Sequence, residues 1–310
     1  MASAIESLLF YLMVAFVPYA LTSYGIMISG RVGLFNVSGE GVMLLTASAA
    51  FLTTYKTGSY MLGFMVGVGL GALLGAIFTF VSDKLKINQF IVGLTLFIFA
   101  TGLGGFLYKV IVGVVLVPPR VQVLSPIKIP VLSDIPIIGP MLFSQNILVY
   151  ITIILGLLFH YILFKTHFGL KLRAVGDSPR VADVLGVNVG LMRYTFGVIG
   201  SALMGLAGAY LPLCFTGTFT ETIVSGRGWI AIAITLFGRW NPIPIIIGSL
   251  VFSGVEVLVY WLQAQRVAVP YQFLLMLPFI VTLLILIYTS RRLEMPLSIG
   301  KHYDREAIEE

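Results

Sequence analysis

The feature that most constrains this chain is a series of apolar stretches whose lengths match the thickness of a lipid bilayer. A helix needs roughly 20 apolar residues to cross the hydrocarbon core, and the sequence offers nine candidates. By residue number they are 7–29, 32–55, 60–82, 88–108 or beyond, 147–165, 194–215, 229–237, 243–262 and 269–290. The pattern predicts an all-α polytopic membrane protein with about nine transmembrane helices, within a range of eight to ten.

One of the nine runs, residues 229–237, is too short to span a bilayer alone. Either its helix begins earlier, or the run is a broken or re-entrant element, which is tolerated where the backbone is buried in protein. Residues 1–6 lack the positively charged region of a signal peptide, so we expect the first run to be a spanning helix.

Composition excludes the usual soluble classes. Only 10% of the 310 residues are charged and the mean hydropathy is +1.02, against about 25% charged residues in soluble domains. The net charge of +6 comes from basic residues at the ends of apolar runs, which is typical of membrane orientation and not of nucleic-acid binding. The histidines (His160, His167, His302) are scattered and Cys214 stands alone, so we expect no metal cluster, intrachain disulfide or catalytic centre.

The distribution of basic residues predicts the orientation. If residues 166–193 lie in the cytoplasm, alternation of the helices places thirteen basic residues inside and six outside, as the positive-inside rule requires. Those inside are Arg31, Lys84, Lys86, Lys165, Lys171, Arg173, Arg180, Arg193, Arg239, Arg291, Arg292, Lys301 and Arg305; those outside are Lys56, Lys109, Arg120, Lys128, Arg227 and Arg266. The N-terminus is then outside and the C-terminus inside, with a transmembrane domain at residues 1–290 and a cytoplasmic tail at residues 291–310.

Two connections on opposite sides are long. The external one, residues 117–145, contains six prolines, which favour a rigid extended backbone. It is either a passive connector or a fixed outer platform for a partner. The cytoplasmic one, residues 166–193, contains Ser178-Pro179 as a helix start and Gly186 as a helix stop. The short helix between them is either a surface turn or, as we favour, a docking helix that seats in a cleft of another protein.

Small residues indicate close helix packing. Glycines recur at intervals of four on one face of the third run, a pattern that lets helix backbones approach each other in lipid. They are Gly63, Gly67, Gly71 and Gly75. In the sixth run the same packing is indicated by Ser201, Ala202, Gly205, Gly208 and Ala209.

Two five-residue strings resemble each other: Val-Ser-Gly-Glu-Gly at residues 37–41 and Val-Ser-Gly-Arg-Gly at residues 224–228. Each precedes an apolar run, and the predicted orientation starts the first run on the cytoplasmic side and the second on the external side. Such a pair is typical of inverted repeats with broken helices near the midplane. Short strings of common residues also match by chance, which is the alternative.

Glu40 and Glu256 are the acidic residues set most deeply within apolar runs. Ionisable groups at that depth usually face protein or water, because inserting one into the bilayer centre costs roughly 2.5–3.5 kcal/mol. Glu40 either braces a broken helix through backbone donors, contacts a solute together with Asn36 and Ser38, or relays a proton.

Several stretches resemble the permease subunits of ABC importers, in the superfamily that serves ribose and other simple sugars, branched-chain amino acids and nucleosides. They are residues 33–41 (GLFNVSGEG), residues 173–177 (RAVGD) with Ala182 and residues 186–188 (GVN), and residues 225–231 (SGRGWIA) with residues 237–242 (FGRWNP). The last pair is the most specific and, with residues 132–136 (LSDIP) and Gly139-Pro140, indicates the nucleoside and simple-sugar branch. Gln89 departs from the pattern, because the family has an acidic residue there, and this departure leaves the substrate within the branch open.

The resemblance implies a pair of permease subunits, identical or homologous, together with cytoplasmic ATPase subunits and an external substrate-binding protein. Because the sequence has no G-x-x-x-x-G-K-[ST] string, ATP and Mg²⁺ are expected on the ATPase, and no cofactor on this chain. Coupling to the ATPase is expected at Arg173, Asp177, Pro179, Arg180, Ala182, Asp183, Gly186 and Asn188. Candidates for the translocation path are Asn36, Ser38, Glu40, Asn88, Thr218 and Glu256.

The sequence therefore predicts a multi-pass permease of the cell membrane that imports nucleosides or related small solutes and is not an enzyme. Simple sugars and branched-chain amino acids are the alternative solutes within the same family. From other classes, the alternatives are an ion-coupled secondary transporter that uses Glu40 and Glu256 and a membrane scaffold that transports nothing.

Overall fold

The chain is almost entirely helical in the computed structural model, which describes residues 2–115, 117–130, 132–133, 135, 137–265, 270–289 and 294–304. The helices are α1 Ala2–Gly30, α2 Gly39–Thr57, α3 Tyr60–Thr79, α4 Gln89–Val112, α5 Ile147–Lys165, α6 His167–Asp177, α7 Pro179–Val184, α8 Val189–Tyr210, α9 Arg227–Phe237, α10 Pro242–Ala264 and α11 Tyr271–Thr289. Strands β1 Ile127–Lys128 and β2 Ser144–Gln145 pair antiparallel. Asp134, Pro136, Arg266, Arg291, Arg292 and Arg305, all named above, lie outside the described residues.

The predicted all-α polytopic fold is confirmed, since each of the nine apolar runs contains a helix. Within the described residues, six stretches are long and apolar enough to cross a membrane: Ile5–Gly30, Tyr60–Lys84, Gln89–Val112, Ile147–Lys165, Val189–Thr216 and Pro242–Ala264. The apolar helices Arg227–Phe237 and Gln272–Ile287 are shorter. The inside and outside assignment of the two ends stays a prediction.

The structure shifts several predicted boundaries. Helix α2 begins at Gly39 and not at residue 32, because residues 31–38 form a turn in which Gly33 has a φ of +87°. Helix α8 begins at Val189 and not at residue 194, because the Asn188 side chain accepts from an amide of its first turn. The polar connection also holds the unpredicted helix α6.

Helices α3 and α8 pack through their small residues. A Cβ atom built at Gly71 would lie 2.5 Å from the Ser201 carbonyl oxygen, and one at Gly67 would lie 2.7 Å from the Ala209 Cβ. At Gly75, a Cβ would lie 2.6 Å from the Ser201 Cβ. The glycine face of α3 therefore meets the small-residue face of α8 at backbone contact distance, as the spacing in both runs indicates.

This contact predicts a large difference between two neighbouring glycine substitutions. We expect Gly71→Leu to lower the stability of the fold markedly, since overpacking a core contact typically costs about 1–3 kcal/mol. Gly69→Leu on the opposite face should be tolerated, because a Cβ there meets nothing within 4 Å. Thermal unfolding of the two purified variants in detergent checks this, and equal melting temperatures would contradict the close contact.

The proline-rich connection is fastened to the bundle end from which α5 starts. The Val121 amide donates to the Gly217 carbonyl over 2.8 Å, and the Thr218 hydroxyl donates to the Pro119 carbonyl over 3.0 Å. These hydrogen bonds favour a fixed platform over a passive connector. We call this side the proline-rich end, and the side where α5 ends and α6 begins the charged end.

Candidate translocation and coupling site

Helices α2 and α9 both begin inside the bundle, and their N-termini meet there. A Cβ atom built at Gly228 would lie 2.6 Å from the Cα of Glu40, so the two backbones touch. One built at Gly39 would lie 3.5 Å from the Thr22 side chain. Thr22 lies eight residues before the end of α1 at Gly30. The contact is therefore about 12 Å inside the bundle, measured along α1 from that end. We call this contact the half-helix junction.

The two helices leave the half-helix junction in opposite directions. Helix α9 has 11 residues, about 16 Å, which is half of a bilayer crossing. The Ser23 hydroxyl donates to the Ala231 carbonyl over 3.1 Å, and beyond the ends of both helices the Arg31 side chain donates to the Trp240 carbonyl over 2.8 Å. Helix α9 therefore runs alongside α1 towards the charged end. Helix α2 runs the other way, to Gly58 beside the start of α3. The two similar strings at residues 37–41 and 224–228 thus form the two sides of one junction.

The Glu40 carboxylate lies between the two helix starts. One of its oxygens accepts from the Gly226 amide and the other from the Gly228 amide, each over 2.7 Å. Amides in the first turn of a helix have no partner within that helix, and the carboxylate also faces the positive ends of both helix dipoles. Of the readings left open by the sequence, this geometry favours Glu40 as a brace of broken helices.

The turn before α2 is locked by Asn36 and Ser38, which are each 1% exposed. The Asn36 side-chain oxygen accepts from the Ser38 amide over 3.0 Å and from its hydroxyl over 2.6 Å. The Asn36 side-chain nitrogen donates to the Ser201 hydroxyl over 3.0 Å. These two path candidates therefore hold the half-helix junction in shape and do not line open space.

The remaining path candidates lie elsewhere. Asn88 caps α4 at the charged end, where its side-chain oxygen accepts from the Phe90 amide over 2.9 Å. Thr218 is at the proline-rich end, and Glu256 belongs to a separate buried ion pair. The structure thus brings together Asn36, Ser38 and Glu40 but not the other three.

The buried ion pair joins Glu256 to Arg227, the first residue of α9. The Arg227 guanidinium donates to both carboxylate oxygens and, through its other terminal nitrogen, to the Ile223 and Val224 carbonyls over 2.7 and 3.0 Å. Arg227 is 3% exposed, so its prediction as an external loop charge is wrong. A buried arginine is tolerated here because its donors are used, and the pair pins the chain that enters the half-helix junction.

Arg193 shows the same displacement from a predicted loop to the interior. It is fully buried, its NH1 donates to Asp83 over 2.9 Å, and the same nitrogen donates to the Lys301 carbonyl over 3.2 Å. The sequence gives no signal for either ion pair, because the partners are far apart along the chain.

The coupling candidates form a continuous patch at the charged end, from α6 through α7 to the start of α8. Ala182 is buried, while Val184 is 87% and Leu185 is 75% exposed. Gly186 ends α7 with a φ of +82°, a left-handed conformation that favours glycine. Burial lowers the pKa of the nearby Arg31 guanidinium below its usual value, and the Asp177 carboxylate offsets only part of this effect. Val184 and Leu185 thus form an exposed apolar pair at the end of α7, which favours the predicted docking helix over a plain surface turn.

The C-terminal segment connects this patch to the half-helix junction. The Ser298 amide donates to the Gly176 carbonyl at the end of α6 over 2.9 Å, and the Gly300 amide donates to the Gly33 carbonyl over 3.1 Å. Residues 294–304 are therefore packed into the charged end and are not a free tail. Gly33 begins the turn that leads to Glu40.

Gln89 also holds the turn that precedes α2. Its side-chain oxygen accepts from the Phe35 amide over 2.7 Å, and its nitrogen donates to the Gly33 carbonyl over 3.4 Å. An ionised acidic side chain accepts but does not donate. A glutamine at this position therefore supplies the turn with a donor that an ionised glutamate lacks.

Comparisons with known proteins agree with this architecture. Residues 8–286 match the family described as branched-chain amino acid transport system / permease component. The chain is 32% identical over 298 residues to the nucleoside ABC transporter permease NupC of Lactococcus lactis subsp. cremoris, covering 92% of this chain and 93% of the relative. It is 32% identical over 298 residues to the guanosine ABC transporter permease NupQ of Bacillus subtilis, covering 92% of each.

A third relative, TsgC13 of Haloferax volcanii, carries a provisional name as a glucose ABC transporter permease; it is 31% identical over 314 residues, covering 92% of this chain and 94% of the relative. No solved structure gives a significant match. The extent of these matches implies a transport system with ATPase and substrate-binding components. The chain belongs to the family of branched-chain amino acid transport system permease components, and it is a membrane-spanning permease subunit of an ABC transporter and not an enzyme.

Proposed function

We propose that this chain forms one half of the translocation path of an ABC importer for nucleosides in the cell membrane. The observation that carries the proposal is the half-helix junction, where α2 and α9 meet inside the bundle around Glu40. Half-helices that meet at the midplane are the usual site of solute passage in transporters. Two relatives at 32% identity are named for nucleosides or guanosine, which supports the substrate class.

The proposed coupling runs from the charged end to the half-helix junction. An ATPase subunit would bind α7 and the residues on either side of it. The docking region would comprise Arg173, Asp177, Pro179, Arg180, Asp183, Gly186 and Asn188, with the buried Ala182 supporting α7 from beneath. Closure of the ATPase dimer would shift α6 and α7. The hydrogen bonds from Gly176 through Ser298 and Gly300 to Gly33 would carry that shift to the turn before Glu40.

Solute would pass between this chain and a second permease, identical or homologous, after delivery by an external binding protein at the proline-rich end. The half-helix junction would have two states, and the binding protein and the ATPase would each bind one of them more tightly than the other. ATP would drive the cycle, because its binding and hydrolysis change which state the ATPase prefers. Simple sugars are the second candidate solute class, since one relative is provisionally named for glucose.

The docking role of α7 is tested by purification in mild detergent. We expect Val184→Asp and Leu185→Asp to lower the amount of co-purifying ATPase roughly tenfold or more, as loss of an interface hot spot does. The second permease should remain, because both side chains point away from the bundle.

The matched control is Met295→Asp, at an apolar residue of the charged end that is 46% exposed and lies on the C-terminal segment. It should leave the ATPase bound. Recovery of the ATPase at the wild-type level with both α7 variants would exclude α7 as the docking helix.

A further inference from the structure

A cleft of about 600 Å³ opens beside α4, on its half towards the proline-rich end. Its lining includes Thr101, Gly102, Phe106 and Lys109 from α4, and Glu221 and Thr222 from the segment before α9. Leu44, one turn beyond Glu40 in α2, also lines it. The cleft therefore lies directly on the proline-rich side of the half-helix junction, where a solute descending to that junction would first be enclosed.

The two charged side chains of the cleft are accessible and together carry no net charge. The Lys109 ammonium lies 2.6 Å from a Glu221 carboxylate oxygen, yet the two side chains are 57% and 52% exposed. An exposed ion pair of this kind adds little stability, so a solute can open it at small cost and use both charges. Gly105 supports the arrangement, because a Cβ there would lie 3.3 Å from the same Glu221 oxygen.

One further group suits a ring compound. The Phe106 ring is 61% exposed and offers an aromatic face. The Thr101 hydroxyl is buried, so it is not available to a solute. A cation, an anion and an aromatic face together match a neutral polyhydroxylated ring.

We propose that this cleft is a solute subsite that binds the ribose of a nucleoside, with Lys109 and Glu221 on its vicinal hydroxyls and Phe106 against the base. The ammonium donates to one hydroxyl, and the carboxylate accepts from the other. The subsite rests on the proposed function, since it names the place where that importer holds its solute. A branched-chain amino acid would engage the same ion pair through its zwitterion but would leave much of the cleft empty.

Protection of an engineered cysteine tests the subsite directly. Cys214, the single native cysteine, is buried, so a thiol reagent reports on an added one. A Cβ at Gly102 meets nothing within 4 Å, and neither does one at Gly69 on α3, which lies away from the cleft. In the reconstituted assembly, we expect guanosine to slow labelling of Gly102→Cys and to leave labelling of Gly69→Cys unchanged. In the Gly102→Cys background, Lys109→Met and Glu221→Gln should each raise the guanosine concentration that gives half of the maximal protection by about tenfold. Loss of a hydrogen bond to a charged group has an effect of this size.

Protection by leucine but not by guanosine, or by no solute among guanosine, glucose and leucine, would overturn the proposed subsite. So would loss of the second permease from Gly102→Leu on purification, because the cleft would then be a subunit contact. Nucleoside uptake by the wild-type assembly is measured separately, so that an absence of nucleoside transport is recognised as failure of the proposed function itself.

Discussion

Gly228→Ala is expected to abolish ATP-dependent uptake, although alanine is normally the better helix residue. Its Cβ would lie 2.6 Å from the Glu40 Cα and 2.9 Å from a Glu40 carboxylate oxygen. The starts of α2 and α9 must therefore separate, which pulls the carboxylate away from the Gly226 and Gly228 amides. Each hydrogen bond to a charged group contributes about 1.5–3 kcal/mol, so loss of both is enough to disorder the half-helix junction.

The matched control is Gly254→Ala on α10. A Cβ there has its nearest neighbour at 3.7 Å, which is ordinary contact, so this variant should be neutral or stabilising by about 0.5–1 kcal/mol. Uptake of labelled guanosine at equal amounts of assembled complex measures both variants. Wild-type uptake by Gly228→Ala would show that the two helix starts do not touch in the working protein.

Glu256→Leu is expected to destabilise the chain more than any surface substitution. It leaves the Arg227 guanidinium, 3% exposed, without its carboxylate, and breaking a buried pair typically costs about 3–5 kcal/mol. Replacing both partners by apolar residues is often far less damaging. The double variant Arg227→Met with Glu256→Leu should therefore melt at a higher temperature than the single variant in detergent.

The double variant should still fall short of the wild type, because the Ile223 and Val224 carbonyls lose their donor. This experiment also separates the ABC importer from an ion-coupled transporter. If Glu256→Leu kept wild-type stability and lost only a proton- or sodium-driven flux, Glu256 would be a coupling carboxylate and not half of a structural pair.

The fold was largely predictable because apolar runs and polar caps are local signals. Helix α5 has the predicted limits, since Asn146 caps its start and Lys165 marks its end. Helix α6 was missed, because its buried face has only two large apolar residues, Leu172 and Val175, beside two glycines. The turn before α2 also escaped prediction, since Val32, Leu34, Phe35 and Val37 make it mostly apolar and so continuous with the run that follows.

The candidate functional site was predictable only where a recognisable sequence motif marks it, as at residues 37–41 and 224–228. Glu40 drew attention because it stands in an apolar run, and its similar string holds Arg227 at the same position. The partner of Arg227, by contrast, is 29 residues away, and the C-terminal segment is held by backbone atoms that any sequence has. Lys109 was predicted only as an external charge and Glu221 carried no prediction, because only the folded chain places them across one cleft.

As an ABC permease, this chain is proposed to move solute only within an ATP-driven assembly. Uptake of labelled guanosine is measured in liposomes that hold either the native detergent-purified assembly or the chain alone. We expect uptake with the assembly, the external binding protein and ATP, and none with the chain alone under proton or sodium gradients. Gradient-driven uptake by the chain alone would rule out the ATP-driven mechanism.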